Sequence, residues 1–201
     1  MSAHAESHGH HGPPIANRSS RVAPEVLGML LFIASEAMLF GSFFAALFFC
    51  RVVNPATTQW PPPPFEFPVF VAGVNTCILV TSSFTMHWAV QSIRRNDRTG
   101  LKAGLVLTIL LGAAFLITQA IEYAHIGFNT SDGAFASTFF GLTGLHGAHV
   151  FIGLSLLTFA AVRSFRGHYS PDHYHGVEIP GIYWHFVDVM WIVVYTTVYL
   201  I

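Results

Sequence analysis

Long apolar runs separated by short polar stretches divide this chain before any single residue type is considered. The runs cover 26–50, 68–90, 101–123, 136–162 and 180–201, and each reaches the ~20 residues that a helix needs to cross a bilayer. With no water in the hydrocarbon core, every backbone polar group must be satisfied within its own segment. These lengths suit helices rather than the ~10-residue alternating strands of a barrel. The pattern predicts an all-α, polytopic membrane protein with a bundle of five transmembrane helices over 24–201. It is preceded by a flexible, His-rich tail over 1–23, which has no apolar core ahead of a cleavage site and so does not read as a cleaved signal peptide. Between the first two runs, Trp60-Pro61-Pro62-Pro63-Pro64 cannot continue a helix and is expected to run extended, with Trp60 at interface depth.

Composition agrees with a membrane bundle: of 201 residues 53% are hydrophobic and only 9% charged, against ~25% charged in soluble domains. The formal net charge of −1 and the absence of a dense basic patch argue against nucleic acid as a partner. Cys50 and Cys77 match no metal-ligand spacing and read as small buried hydrophobes. The N-terminal cluster His4, His8, His10 and His11 fixes no coordination geometry. In an alternating five-span scheme Arg18, Arg21, Arg94, Arg95, Arg98, Lys102, Arg163 and Arg166 share one side and only Arg51 falls on the other. The positive-inside rule then places the N-terminus in the cytoplasm, and an even number of spans would scatter these charges.

Against that background, polar residues at membrane depth stand out. Glu36 sits ~15 Å along the first run, close to mid-bilayer, where an ionised side chain costs at least ~2.5 kcal/mol and so turns inward, stays protonated or finds a partner. In the fourth run His146 and His149 lie ~14 and ~18 Å from the outer boundary, a matching depth. Depth alone does not separate the two as partners of Glu36; His149 is preferred because it lies farther in. Gly141, Gly144, Gly147 and Gly153 strip side chain from this helix and let a neighbour approach. In the fifth run His185 and Asp188 share a face, with Asp188 ~12 Å inside the segment and in need of a partner. His87 lies at a depth where it can meet either. Glu122, near the outer boundary, reads as a half-solvated interface carboxylate that ties down a loop. Interhelical hydrogen bonding accounts for His87, His185, Asp188 and Glu122; a proton path is the sharper alternative for the first three.

A haem needs two facing axial ligands at one depth, which His146 and His149 on one helix cannot supply. A zinc or iron site at Glu36, His146 and His149 lacks a further ligand. No catalytic or metal-ligating residue is therefore assigned. A small proton-coupled transporter would show internal repeats or broken helices, and none is evident.

Taken in order, Ile33-Ala34-Ser35-Glu36, Gln119-Ala120-Ile121-Glu122-Tyr123, Ser131-Asp132-Gly133 with Ser137-Thr138-Phe139-Phe140, Gly144-Leu145-His146-Gly147-Ala148-His149, and Tyr183-Trp184-His185-Phe186-Val187-Asp188-Val189-Met190-Trp191 closely resemble subunit III of the haem–copper terminal oxidases. The resemblance runs from about Arg21 to the last residue. It implies an accessory subunit, free of redox centres, of a proton-pumping cytochrome c oxidase that reduces dioxygen to water. A quinol oxidase, or a subunit-III-like accessory protein of nitric oxide reductase, is the alternative. Haem and copper would reside in subunits I and II, which are the expected partners together with a small subunit IV, membrane lipids and bound phospholipid, in a bacterial plasma membrane. The resemblance assigns this subunit support of proton uptake, lipid binding and complex stability. It places Glu36 on the family's buried carboxylate, His149 on a histidine of the facing helix, and Arg163 and His173 on lipid-binding positions, His173 lying with Glu178 in the loop before the last span. The longest members carry two further helices that wall a lipid cleft; their counterpart surface on the first span is expected to face another subunit.

Overall fold

A computed structural model describes residues 24–53, 69–171 and 174–200. The His-rich segment 1–23, the proline-rich stretch with Trp60, and His173 lie outside the described residues. The chain forms α1 (Pro24–Val53), α2 (Val69–Arg94), α3 (Arg98–His125), α4 (Ala134–Phe165) and α5 (His175–Tyr195). A π-helical turn, Thr196–Leu200, extends α5. All five helices are long and apolar enough to span a membrane. Antiparallel neighbours α2 to α5 close a four-helix ring, and α1 lies in the groove between α4 and α5. This makes α1 peripheral: 11% of its apolar window is buried, against 50% for α5.

Local chemistry sets the helix ends. At the α2–α3 turn Asn96 adopts a left-handed conformation (φ 60°), which its short polar side chain tolerates. Asp97 then caps α3, its Oδ1 accepting from the backbone N–H of Thr99 at 3.0 Å and of Gly100 at 2.9 Å. Below this turn the helices approach closely because small residues face each other: a Cβ on Gly104 would stand 2.8 Å from that of Ala89. Thr85 and Thr108 join their hydroxyls at 2.7 Å.

The fifth helix begins at His175, five residues before the 180–201 expectation. Pro180 lies inside it and cannot donate to the Gly176 carbonyl. Tyr169, from the loop before the helix, donates its hydroxyl to that carbonyl at 3.3 Å and so takes up the acceptor the proline leaves. The earlier start moves Asp188 to ~20 Å from the helix start, in mid-membrane, rather than ~12 Å.

The core is built around two tryptophans of α5. Trp184 and Trp191 are fully buried, and each indole N–H reaches a hydroxyl of α2: Trp184 to Ser82 at 2.9 Å, Trp191 to Thr76 at 3.0 Å. Trp184 is wedged between two glycines. A Cβ on Gly112 of α3 would come within 2.5 Å of its ring, and one on Gly153 of α4 within 2.9 Å. Of the glycines expected to admit a neighbour, Gly141 does so for Phe43 of α1 (2.8 Å) and Gly153 for Trp184, whereas Gly144 and Gly147 meet nothing within 4 Å.

Two predictions test this packing. Gly112→Val should destabilise the subunit by about 1–3 kcal/mol through overpacking against Trp184, while Gly144→Ala, which enters open space, should be neutral in the same detergent-unfolding measurement. Asp97→Ala should lose about 1 kcal/mol through the missing cap, read as faster amide hydrogen exchange confined to the first turn of α3.

Candidate functional site

Glu36 and His149 meet across the α1–α4 interface. The carboxylate oxygen Oε2 lies 2.9 Å from His149 Nε2. On the opposite edge of the ring, Nδ1 lies 2.8 Å from the carbonyl of Leu145, one turn earlier in α4. A carbonyl can only accept, so Nδ1 carries a proton. Nε2 then either accepts the acid proton of Glu36 or donates to its carboxylate as part of an imidazolium. Both forms have zero net charge and share one proton, which is how a carboxyl group stays in a low-dielectric setting. Phe40 packs on the ring at 5.0 Å between centroids and Tyr183 stacks at 6.4 Å. The His149 side chain is 7% exposed and that of Glu36 18%, so the pair is sealed on the bundle side and opens only along α1.

His146 does not join them. It turns toward α3 and α5 rather than α1, edge-on to Phe115 at 5.8 Å and tilted on Trp191 at 4.8 Å. Its ring nitrogens have no hydrogen-bond partner among the described residues. No group of three or more His, Cys, Asp or Glu that could hold a metal ion gathers among the described residues. What Glu36 and His149 can do chemically is hold or shift one proton.

A second polar cluster joins α2 to α5. Ser83 donates a very short hydrogen bond to Asp188 Oδ2. With its own proton committed there, its oxygen accepts from Nδ1 of His185 at 3.1 Å. The sequence does not single out Ser83: a serine in an apolar run ordinarily bonds a carbonyl of its own helix. His87, expected to meet His185 or Asp188 directly, instead pairs with Gln91 at 2.7 Å. The reason is geometric: Ser83, one turn away on the same face of α2, is level with His185 and Asp188 and occupies the contact.

Glu122 also differs from its expectation. It is 7% exposed, not half-solvated, because the π-helical turn folds over it and Tyr199 donates to its Oε1 at 3.3 Å. It ties down the end of α5, not a loop. Nearby, Tyr123 donates to Thr143 at 2.6 Å and fixes α3 to α4.

The end of the bundle formed by the close of α2 and α4 and the start of α3 and α5 gathers Arg94, Arg95, Arg98, Lys102, Arg163 and Arg166; Arg51 closes α1 at the other end. Glu178 bridges Arg94 at 2.8 Å and His175 at 3.0 Å. Arg163 is exposed, its guanidinium lying 5.8 Å from the centre of the Phe159 ring and 5.7 Å from that of Tyr169. Burial pushes the Tyr169 hydroxyl above its ordinary pKa, an effect that Arg163 opposes. A cation steadied on aromatic faces at this level suits a phosphate group.

The family model described as cytochrome c oxidase subunit III matches residues 1–201. Cytochrome c oxidase subunit 3 of Thermostichus vulcanus is 41% identical over 177 residues, covering 88% of this chain and 87% of that protein. The Synechocystis sp. protein of the same name is 41% identical over 198 residues, 98% of this chain and 80% of its own length. The Homo sapiens protein of that name is 38% identical over 199 residues, covering 95% and 72%. Five apolar helices, a matched length and this degree of identity make the chain a member of the cytochrome c oxidase subunit III family, the accessory subunits of haem–copper oxidases.

Proposed function

We propose that the chain acts in a cytochrome c oxidase as a supporting subunit that steadies the complex, holds phospholipid and keeps proton uptake fast, while haem and copper reside in subunits I and II. The observation that carries this reading is the Glu36–His149 contact. It offers one shared proton and a helix-to-helix tie at mid-membrane depth, with His146 turned away among aromatic rings. Such a pair suits mechanical and electrostatic support better than bond-making chemistry. The clustered basic end supports a cytoplasmic N-terminus by the positive-inside rule, within one bundle over 24–201 that follows the tail 1–23. The cyanobacterial relatives support a bacterial plasma membrane as its location.

Lipid binding finds its best support at exposed Arg163, poised over Phe159 and Tyr169. The outward face of α1, with Leu31 66% and Met38 78% exposed, is the surface we assign to subunit I or a small subunit IV. Purification of the tagged chain in mild detergent, with a reduced-minus-oxidised spectrum, tests the whole reading. Haem-bearing subunits should accompany the chain, and a lone, colourless, stable monomer would contradict it.

The tie itself yields a sharper expectation. Glu36→Gln keeps a donor for His149 Nε2 in its amide N–H, so oxidase assembly and most turnover should persist. Glu36→Ala leaves that nitrogen unpaired and should loosen α1 by about 1–2 kcal/mol, seen as easier loss of the subunit in detergent. Abolished oxygen reduction in an assembled Glu36→Gln complex would contradict this and assign the carboxyl a catalytic role.

A further inference from the structure

The Ser83–His185–Asp188 cluster lies apart from the Glu36–His149 pair, and the supporting role makes no use of it. Its groups are ordered by depth. Measured from the Arg94 end of α2, Gln91, His87 and Ser83 stand ~5, ~10 and ~16 Å inward, on successive turns of one face. From the start of α5, His185 and Asp188 stand ~15 and ~20 Å inward. The file starts beside the Arg94–Glu178 bridge at the basic end and stops at a carboxyl in mid-membrane.

Hydrogen bonding runs in one sense within each of its two halves. Gln91 donates through its amide nitrogen to His87 Nε2. His87 and His185 share no direct hydrogen bond; they stand on the contacting helices α2 and α5, at ~10 and ~15 Å from the basic end. His185 donates through Nδ1 to Ser83, and Ser83 donates to Asp188. Beyond Asp188 the file has no continuation: its residue is 3% exposed, and Oδ1 has no hydrogen-bond partner among the described residues. Trp184, Val187 and Trp191, all buried, close the bundle side. The other titratable groups facing α5 are engaged elsewhere. Glu36 of α1 pairs with His149 of α4, His146 of α4 sits among Phe115 and Trp191, Tyr199 holds Glu122, and Arg94 of α2 holds Glu178.

We propose that Asp188 is a reversible one-proton binding site, a dead-end well filled and emptied from the basic end of the bundle through His87, His185 and Ser83. Filling balances without a co-reactant. A proton added to Nε2 of His185 forms the imidazolium. Its Nδ1–H bond then breaks as a new O–H bond forms on Ser83, the original Ser83 proton passes to Asp188 Oδ2, and the ring is left as the neutral Nε2–H tautomer. Emptying is the exact reverse, so no ring flip is needed, which is what a store with one opening requires. The proposal is independent of which side of the membrane the basic end faces and of the lipid and assembly roles given above.

Infrared difference spectroscopy of the intact, purified oxidase tests it, following the carboxylic acid C=O bands over a range of pH and after transfer into D2O. One band should disappear in Asp188→Asn; where that variant fails to assemble, Asp188→Glu should shift the same band. In the wild-type complex this band should shift rapidly on exchange. Ser83→Ala, which removes the hydroxyl and little volume, should slow its exchange at least tenfold, and His87→Phe should slow it several-fold, with haem spectra unchanged. Exchange at the wild-type rate in Ser83→Ala, or no Asp188 acid band at any pH, would overturn the proposal.

Discussion

Inside a bilayer a large polar side chain cannot turn to water and is best satisfied across a helix interface. That constraint arranges this bundle. Six polar side chains of the apolar runs end on another helix: Glu36 on His149, Asp188 on Ser83, Glu122 on Tyr199, Tyr123 on Thr143, and the two buried indoles on Ser82 and Thr76. Apolar contact alone would not choose among the ways five greasy helices can pack, since lipid tails are as apolar as leucine. The polar contacts choose the register, and glycines at Gly112 and Gly153 give Trp184 the space to hold it.

The peripheral helix shows this most clearly. With little of its apolar surface buried, α1 depends on a few specific contacts along α4: Phe43 set into Gly141, the Cys50–Thr138 approach at 3.9 Å, and the Glu36–His149 pair. These three fall at successive depths and fix α1 antiparallel to α4. The pair adds direction to a contact that is otherwise small-residue packing, and it does so without leaving net charge in the membrane.

Much of this was legible in the chain. Apolar runs mark the five helices because the bilayer enforces length, and a carboxyl at mid-depth points to a histidine at equal depth because the cost of burial is high. Other features left weaker traces. The role of Ser83 was hidden because a hydroxyl in a helix ordinarily bonds its own preceding carbonyls, as Thr76, Thr81 and Ser82 also do here, so a serine in an apolar run gives no sign of an interhelical bond. Pro180 reads as a boundary and masks the earlier start of α5, since only the folded loop brings Tyr169 to the orphaned carbonyl. Glu122 was placed near water because depth along α3 says nothing of the π-helical turn that comes to cover it from the far end of the chain.

The central claim is that Glu36 and His149 act as one unit that holds α1 to the bundle. A double-mutant cycle with Glu36→Ala, His149→Phe and the combination measures it directly, read as resistance of the subunit to dissociation from the purified oxidase in detergent. The account predicts a coupling of about 0.5–1.5 kcal/mol, the second substitution having little left to remove. Effects that simply add, within about 0.3 kcal/mol, would show that the two side chains are neighbours without being partners.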